Sequence, residues 1–156
     1  MTKTNAMRML EAAGIAYRTA EYDFDEDHLS GVHAAEEIGM PAEQVFKTLV
    51  TRGDRSGVLV FCVPVAEELD LRKAAAASGN KKIEMIHVKE LTGLTGYVRG
   101  GCSPVGMKKK YPTIMDETAQ LFEEISVSAG VRGLQVILSP FDLAGYTDAE
   151  MADVTV

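Results

Sequence analysis

The sequence predicts one α+β domain, residues 1–156, in which a mixed, barrel-like β-sheet is flanked by short helices. The length is typical of one domain, and 46% hydrophobic residues can form an ordinary core. Apolar, β-branched runs follow one another through hairpin turns as often as through helical segments. This alternation favours a mixed sheet over a doubly wound parallel sheet.

Capping residues and turn chemistry predict the elements of the first half. Thr4 can cap a helix that Gly14 ends, and Asp70 can cap a later helix with an alanine-rich centre. Gly53 and Gly57 flank a turn between two apolar runs, which is typical of a β-hairpin. The predicted elements are a helix over 4–14, a strand over 15–24, an acidic loop over 23–28, a short helix over 33–38, strands over 45–51 and 58–65, and a helix over 71–78.

The second half is predicted to contain mostly short strands. Ser139 followed by Pro140 is typical of a helix start, with proline at the first helical position. The predicted elements are a strand over 83–88, a helical turn over 88–91, strands over 113–116, 122–126 and 133–138, a helix over 139–144, and an edge strand over 152–156. About seven strands and four or five helices result.

Charge and composition exclude several classes of protein. The net charge of −7 argues against a protein that grips a nucleic-acid backbone along its length. We therefore expect any RNA contact to be local, brief or assisted by another protein, and we do not expect DNA to be a partner. The two cysteines lack a CxxC spacing, and the three histidines lack a metal-binding spacing, so no metal and no cofactor are expected.

Targeting signals are not apparent in the sequence. The first residues lack the apolar region of a signal peptide. No apolar run approaches the ~20 residues of a membrane span. We expect a cytoplasmic location and no membrane partner.

The segment 93–106 is the strongest functional signal. It contains five glycines and one proline in fourteen residues, so it cannot form a regular element. Closely approaching backbone N–H groups could hold a carbonyl or an oxyanion. The alternative is a long surface loop with tight turns. It is not a P-loop, because Lys108 is displaced by one position and no Ser or Thr follows it.

The two cysteines are interpreted differently. Cys102 lies in the glycine-rich segment, but a nucleophilic cysteine needs a base, and no histidine is spaced to serve it. A small loop residue is the preferred interpretation. Cys62 lies within an apolar strand and is predicted to be a buried filler.

Lysines at two places could meet an anionic ligand. Lys47 shares a strand face with Leu49, which suggests that this face is not simply solvated. It could bind a phosphate or a carbonyl, although a surface lysine is the common alternative. The run Lys108, Lys109 and Lys110 follows the glycine-rich segment and could steer an anion toward it.

Three ordered motifs carry a resemblance to a known family. They are Val-Phe-Lys-Thr-Leu-Val over 45–50, Gly-Tyr-Val-Arg-Gly-Gly-Cys-Ser-Pro-Val-Gly over 96–106, and Val-Ser-Ala-Gly-Val-Arg-Gly-Leu over 127–134. From about residue 5 to about residue 150, the chain resembles the YbaK/EbsC family of Cys-tRNA(Pro) deacylases. This family is related to the editing insertion of bacterial prolyl-tRNA synthetases.

The resemblance implies a substrate and a mechanism. The substrate would be the aminoacylated 3′ end of tRNA, and prolyl-tRNA synthetase would be an expected partner. The thiol of a mischarged cysteine would attack its own ester carbonyl. Such chemistry separates cysteine from serine or alanine, whereas a pocket selecting by size separates near neighbours by only ~1–3 kcal/mol. The family usually has an apolar residue where Cys102 stands.

The resemblance also implies roles for individual residues. Lys47 would be the critical residue, holding the ribose or phosphate of the terminal adenosine or favouring the thiolate. Gly100 and Gly101 would bind the carbonyl and the developing oxyanion. Substrate-positioning roles are expected for Tyr22, Thr48, Ser103, Pro104, Ser128 and Asp142, and tRNA contacts for Arg99, Lys108, Lys109 and Lys110.

Three alternatives stay open at this point. The first is a deacylase for another small amino acid, such as alanine, with water as the nucleophile. The second is a non-catalytic module that binds aminoacyl-tRNA or a synthetase. The third is a hydrolase that uses Cys102 as its nucleophile, for which Cys102→Ala should abolish activity.

Overall fold

Residues 3–156, which the computed structural model describes, form eight β-strands, five α-helices and three 3₁₀ helices. The α-helices are α1 (Asn5–Ala12), α2 (Gly31–Ile38), α3 (Leu71–Ser78), α4 (Leu91–Thr95) and α5 (Pro140–Thr147). The strands are β1 (Arg18–Glu21), β2 (Phe46–Gly53), β3 (Gly57–Pro64), β4 (Ile83–Met85), β5 (Thr113–Asp116), β6 (Ile125–Ser128), β7 (Leu134–Leu138) and β8 (Glu150–Ala152). The 3₁₀ helices are Ala42–Gln44, Val88–Glu90 and Glu117–Leu121.

The strands form two sheets. One has the order β4-β2-β3-β5-β8, with antiparallel pairing on the β4 side and parallel pairing on the β8 side. The other is antiparallel, in the order β1-β7-β6. A parallel bridge between Val45 and Ser126 joins them. The α+β prediction with mixed strand directions is therefore confirmed, with two bridged sheets in place of one barrel-like sheet.

Side-chain caps fix the helix ends as the sequence predicts. The Thr4 hydroxyl accepts a hydrogen bond from the Met7 amide, and the Asp70 carboxylate accepts from the first turn of α3. Ser139 caps α5, with proline at the first helical position. Gly79 ends α3 in the left-handed conformation at φ +72°.

Several predicted boundaries were wrong. The strand predicted over 15–24 is only Arg18–Glu21, and the one predicted over 122–126 is Ile125–Ser128. The edge strand predicted over 152–156 ends at Ala152. The chain leaves the ladder there because the Val154 amide donates to the Asp116 carboxylate at 3.1 Å. The helical turn predicted over 88–91 continues as α4.

The core packs on both faces of β3. Phe61 and Cys62 are both fully buried, and they belong to different clusters of the core. The prediction of a buried Cys62 is confirmed. No helix within residues 3–156 is long and apolar enough to cross a membrane.

Candidate functional site

A cavity of about 370 Å³ opens between β2, the glycine-rich loop and the β6–β7 sheet. Its walls bring together residues that are far apart in sequence. They are Tyr22, Leu29, Ser30, Gly31, Ala34, residues 45–50, Val65, Met85, Ile86, Val88, Leu91, Arg99, Gly100, Cys102, Ser128 and Gln135. The cavity is mostly apolar, with a few polar groups on its walls, as is typical of small-molecule sites.

Lys47 supplies a partly desolvated ammonium group to this cavity. The side chain is half-buried, and Nζ donates to the carbonyl oxygen of Val65 at 3.4 Å. Burial lowers the pKa of the Lys47 amine, while the nearby carboxylates of Glu68 and Glu67 oppose that shift. A lysine held this way offers a cation to an anionic ligand at low desolvation cost.

Thr48 carries an unsatisfied hydroxyl next to the lysine. Its Oγ1 is buried and has no hydrogen-bond partner within residues 3–156. The residue opposite it on β3 is Cys62, whose thiol is a weak partner. A buried hydroxyl without a partner is unfavourable, and ligand sites are places where such a group persists. Thr48 lines the cavity, so a bound ligand could satisfy it.

Gly100 lies in the cavity wall, whereas Gly101 lies outside it and its amide is already hydrogen-bonded. Gly100 lines the cavity with φ +85°, a conformation that side chains rarely adopt. Gly101 is buried outside the cavity lining, and its amide donates to the Val98 carbonyl at 3.0 Å. A Cβ at Gly101 would lie 3.0 Å from the Arg132 amide nitrogen. The Gly101 amide is therefore already used, so the oxyanion role expected for it does not fit this geometry.

The rest of the glycine-rich loop supports the wall. Ser103 and Pro104 belong to the loop, are buried and do not line the cavity. The Ser103 hydroxyl accepts a hydrogen bond from the Val105 amide at 3.2 Å. Their expected contact with substrate is replaced by a structural contact within the loop.

Cys102 lines the cavity but is poorly suited to act as a nucleophile. Burial raises the pKa of its thiol to about 12, and the Thr95 hydroxyl opposes that shift only partly. The thiol is therefore protonated near neutral pH. Among the described residues that line the cavity there is no histidine and no carboxylate to act as its base.

The residues on either side of the acidic loop, Tyr22 and Leu29, line one side of the cavity. Leu29 lines the cavity and lies 3.4 Å from the position of a Cβ on Gly100. Arg132 ties the two loops together, since its Nε donates to the Arg99 carbonyl at 2.8 Å and its Nη1 lies 3.2 Å from Glu26. Tyr22 enters the same wall, and its ring meets His33 edge to face.

Gln135 is a site residue that the sequence analysis missed. It is only 5% exposed, lines the cavity, and its Oε1 accepts a hydrogen bond from Ser126 at 2.8 Å. Its one side-chain hydrogen bond within residues 3–156 is made through Oε1, so the amide NH₂ group is available to a ligand. Ser128 lies in the same wall. The available signal was one amide side chain in the otherwise apolar strand β7.

Five other residues were expected to contact the substrate or the tRNA; one of them lines the cavity and four are exposed outside it. Arg99 lines the cavity, whereas Asp142 is exposed in the first turn of α5 and does not. Lys110 forms an ion pair with Asp148, and the Lys108 side chain lies over Gly96. Lys108, Lys109 and Lys110 are exposed and lie outside the cavity lining.

Comparisons with known proteins decide the family. The family profile described as "Aminoacyl-tRNA editing domain" matches residues 28–146. The chain belongs to the aminoacyl-tRNA editing domain family. EbsC of Enterococcus faecalis, which carries the name of a Cys-tRNA(Pro)/Cys-tRNA(Cys) deacylase, is 50% identical over 153 residues, covering 98% of this chain and 93% of EbsC. The resemblance drawn from the three motifs is confirmed.

Solved structures of this editing-domain fold superpose closely on the chain. One, described as a trans-editing enzyme for prolyl tRNA synthetase, has a TM-score of 0.84 at 26% identity and covers 99% of both chains. The protein APE2540 has a TM-score of 0.86 at 22% identity, covering 96% of this chain and 97% of its own. The latter supports the fold alone.

Proposed function

We propose that this protein is a trans-editing deacylase that removes mischarged cysteine from tRNA(Pro). One observation carries the proposal: a single cavity holds the half-buried Lys47 ammonium group, the unsatisfied Thr48 hydroxyl and Gly100. None of the described lining residues is a histidine or a carboxylate. A site with polar donors but no base is suited to a substrate that brings its own nucleophile.

The proposed reaction uses the thiol of the bound cysteine. The sulfur attacks the carbonyl carbon of the ester, a C–S bond forms, and the bond from that carbon to the ribose oxygen breaks. The ribose oxygen takes up the proton that the thiol releases, and a cyclic thiolactone leaves the site. A free thiol has a pKa of about 8.5, so a nearby cation favours the reactive thiolate. Lys47 is placed to supply that cation.

The developing oxyanion needs hydrogen-bond donors that are not already used. The Gly101 amide donates to Val98, so we assign this role to the wall formed by Gly100, the Thr48 hydroxyl and the Gln135 amide. Donors that are fixed before the reaction stabilise charge in the transition state without reorganisation. The buried Ser126 hydroxyl fixes the orientation of Gln135.

The partner and location follow from the same proposal. The name of EbsC and the description of the trans-editing structure support tRNA(Pro) as the substrate and prolyl-tRNA synthetase as the source of the mischarged tRNA. The protein would act in the cytoplasm, beside the translation machinery. We assign the contact with the tRNA end to Arg99, because this cation lines the cavity.

The deciding experiment compares four charged tRNAs. We expect wild type to release cysteine much faster than alanine, serine or proline. Lys47→Ala should lower kcat/KM for Cys-tRNA(Pro) by at least about 100-fold, the usual effect of removing one electrostatic group from a transition state. Lys82→Ala is a matched control, because Lys82 is exposed, pairs with Glu84 and does not line the cavity.

Two results would contradict the proposal. Release of alanine or serine as fast as cysteine would exclude the thiol reaction and favour water as the nucleophile. Tight binding of charged tRNA without turnover would identify a binding module.

A further inference from the structure

The mouth of the cavity has an apolar rim that the proposed chemistry does not use. The rim consists of Met85, the last residue of β4, and of Ile86 and Val88, which precede α4; all three line the cavity. Met85 is 48% exposed and Val88 is 65% exposed. Large exposed apolar side chains beside a concave site often mark a binding surface.

The rim is held rigidly by hydrogen bonds beneath it. The Ile86 amide donates to the Val50 carbonyl of β2 at 3.3 Å. The His87 amide donates to the Glu90 carboxylate at 3.0 Å, and Arg52 Nη2 donates to the same carboxylate at 3.0 Å. These contacts hold the backbone at Ile86 and His87, in the middle of the rim. A fixed surface binds a ligand without a large cost of ordering.

We propose that this rim is the binding site for the terminal adenine base of the tRNA. The inference rests on the proposed function, because it requires the ester carbonyl to lie beside Lys47 and Thr48. The base would lie on the aliphatic side chains of Met85 and Val88 through its apolar face. Splayed bases at single-stranded ends are commonly recognised through such faces.

Volume and charge both favour this occupant. A cavity of about 370 Å³ is at the lower end of the ~300–1,000 Å³ range of sites for drug-sized ligands. A cysteinyl group, among the smallest aminoacyl groups, would leave most of it empty, whereas a cysteinyl nucleoside would use its whole depth. Lys89 is exposed beside Val88 and is in none of the ion pairs between residues 3–156, so it is available to the phosphate of the same nucleotide.

Binding of a stable analogue tests the proposal without turnover. The probe is 3′-cysteinylamido-3′-deoxyadenosine, in which an amide replaces the ester, titrated against protein with ¹³C-labelled methionine and valine methyl groups. We expect the Met85 and Val88 methyl resonances to shift. Val88→Ser should raise Kd about tenfold, as expected when about two buried methyl groups are lost. The abasic analogue, with ribose alone, should bind wild type and Val88→Ser equally.

Leu121→Ser is the matched control variant. Leu121 is 77% exposed, lies on a 3₁₀ helix and does not line the cavity, so its replacement should leave Kd unchanged. An equal Kd for wild type and Val88→Ser, or shifts confined to other methyl groups, would overturn the proposal. So would an effect of Val88→Ser that occurs only when a synthetase is present, because the rim would then contact a protein.

Failure of this inference and failure of the proposed function give different results. Cysteine release by wild type with no response of the rim methyl groups removes the adenine site alone. Analogue binding at the rim without cysteine release from Cys-tRNA(Pro) removes the deacylase proposal alone.

Discussion

Each end of the β2–β3 hairpin has a buried polar group, and only the group at the turn is hydrogen-bonded. At the turn, the 7% exposed Asn80 accepts from the Arg55 and Ser56 amides at 2.8 and 2.9 Å and donates to the Ser56 and Ser78 hydroxyls. At the cavity end, the buried Thr48 hydroxyl has no partner within residues 3–156. Asn80 contacts the turn of this hairpin, and Thr48 belongs to its strand β2.

The difference separates a structural polar group from a functional one. The nearly buried Asn80 side chain holds two backbone amides of the hairpin turn and two hydroxyls, so its hydrogen bonds contribute to folding stability. The Thr48 hydroxyl has only the weak Cys62 thiol opposite it, so it contributes little to the fold, and valine would fill the same volume. A polar group that costs stability and lines a cavity is best explained by a ligand.

Removing Asn80 should have the largest effect on stability. Asn80→Ala leaves the Arg55 and Ser56 amides without acceptors, and we expect a loss of about 3 kcal/mol in the free energy of unfolding. Denaturation by urea measures this loss. Asn80→Asp is the control, because it keeps the Oδ1 acceptor and should lose less. A loss below about 1 kcal/mol in Asn80→Ala would show that the four hydrogen bonds are not structural.

Thr48→Val should raise the free energy of unfolding and lower the activity. We expect unfolding to require about 1 kcal/mol more, because an unsatisfied hydroxyl is removed at constant volume. The kcat/KM for Cys-tRNA(Pro) should fall about tenfold, which corresponds to one hydrogen bond to the substrate. Thr48→Ser keeps the hydroxyl and should keep most of the activity. Full activity in Thr48→Val would remove Thr48 from the site.

The sequence predicted the framework of this site better than its details. The sequence singled out the lysine in the apolar strand and the glycine-rich segment separately, and the structure brings Lys47 and Gly100 to one cavity. The role of Gly101 could not be predicted, because its amide is used by Val98, a contact that depends on the local turn. Gln135 was missed because the pairing of β7 with β6, which gives it Ser126, is a tertiary contact.

The ends of helices and strands were predicted where they depend on neighbouring residues and were mispredicted where they depend on residues distant in sequence. Helix α3 begins and ends where its cap residues predict, because Asp70 and Gly79 act within one turn. The last strand was misplaced because Asp116, distant in sequence, binds the Val154 amide and ends the ladder. Local capping can be read from sequence, whereas long-range hydrogen bonds to side chains cannot.

The electrostatics of Lys47 can be tested directly. We expect its amine to titrate below 10.5, because burial lowers its pKa. The Glu67→Gln and Glu68→Gln double variant should lower the pKa further, because both carboxylates favour the charged form. Titration of the ¹³Cε resonance measures both effects. A pKa at or above 10.5 that also stays unchanged in the double variant would mean that the ammonium is solvated and not part of the site.

Cys102→Ala should have the smallest effect, less than about twofold in kcat/KM. The thiol has a pKa raised to about 12 by burial, so it is protonated and weakly nucleophilic at neutral pH. The cavity needs a thiol only from the substrate. Mass spectrometry of quenched reactions should accordingly find no cysteinyl adduct on the protein. A loss as large as that of Lys47→Ala, together with such an adduct, would move the nucleophile from the substrate to Cys102 and replace the thiolactone by an acyl-enzyme.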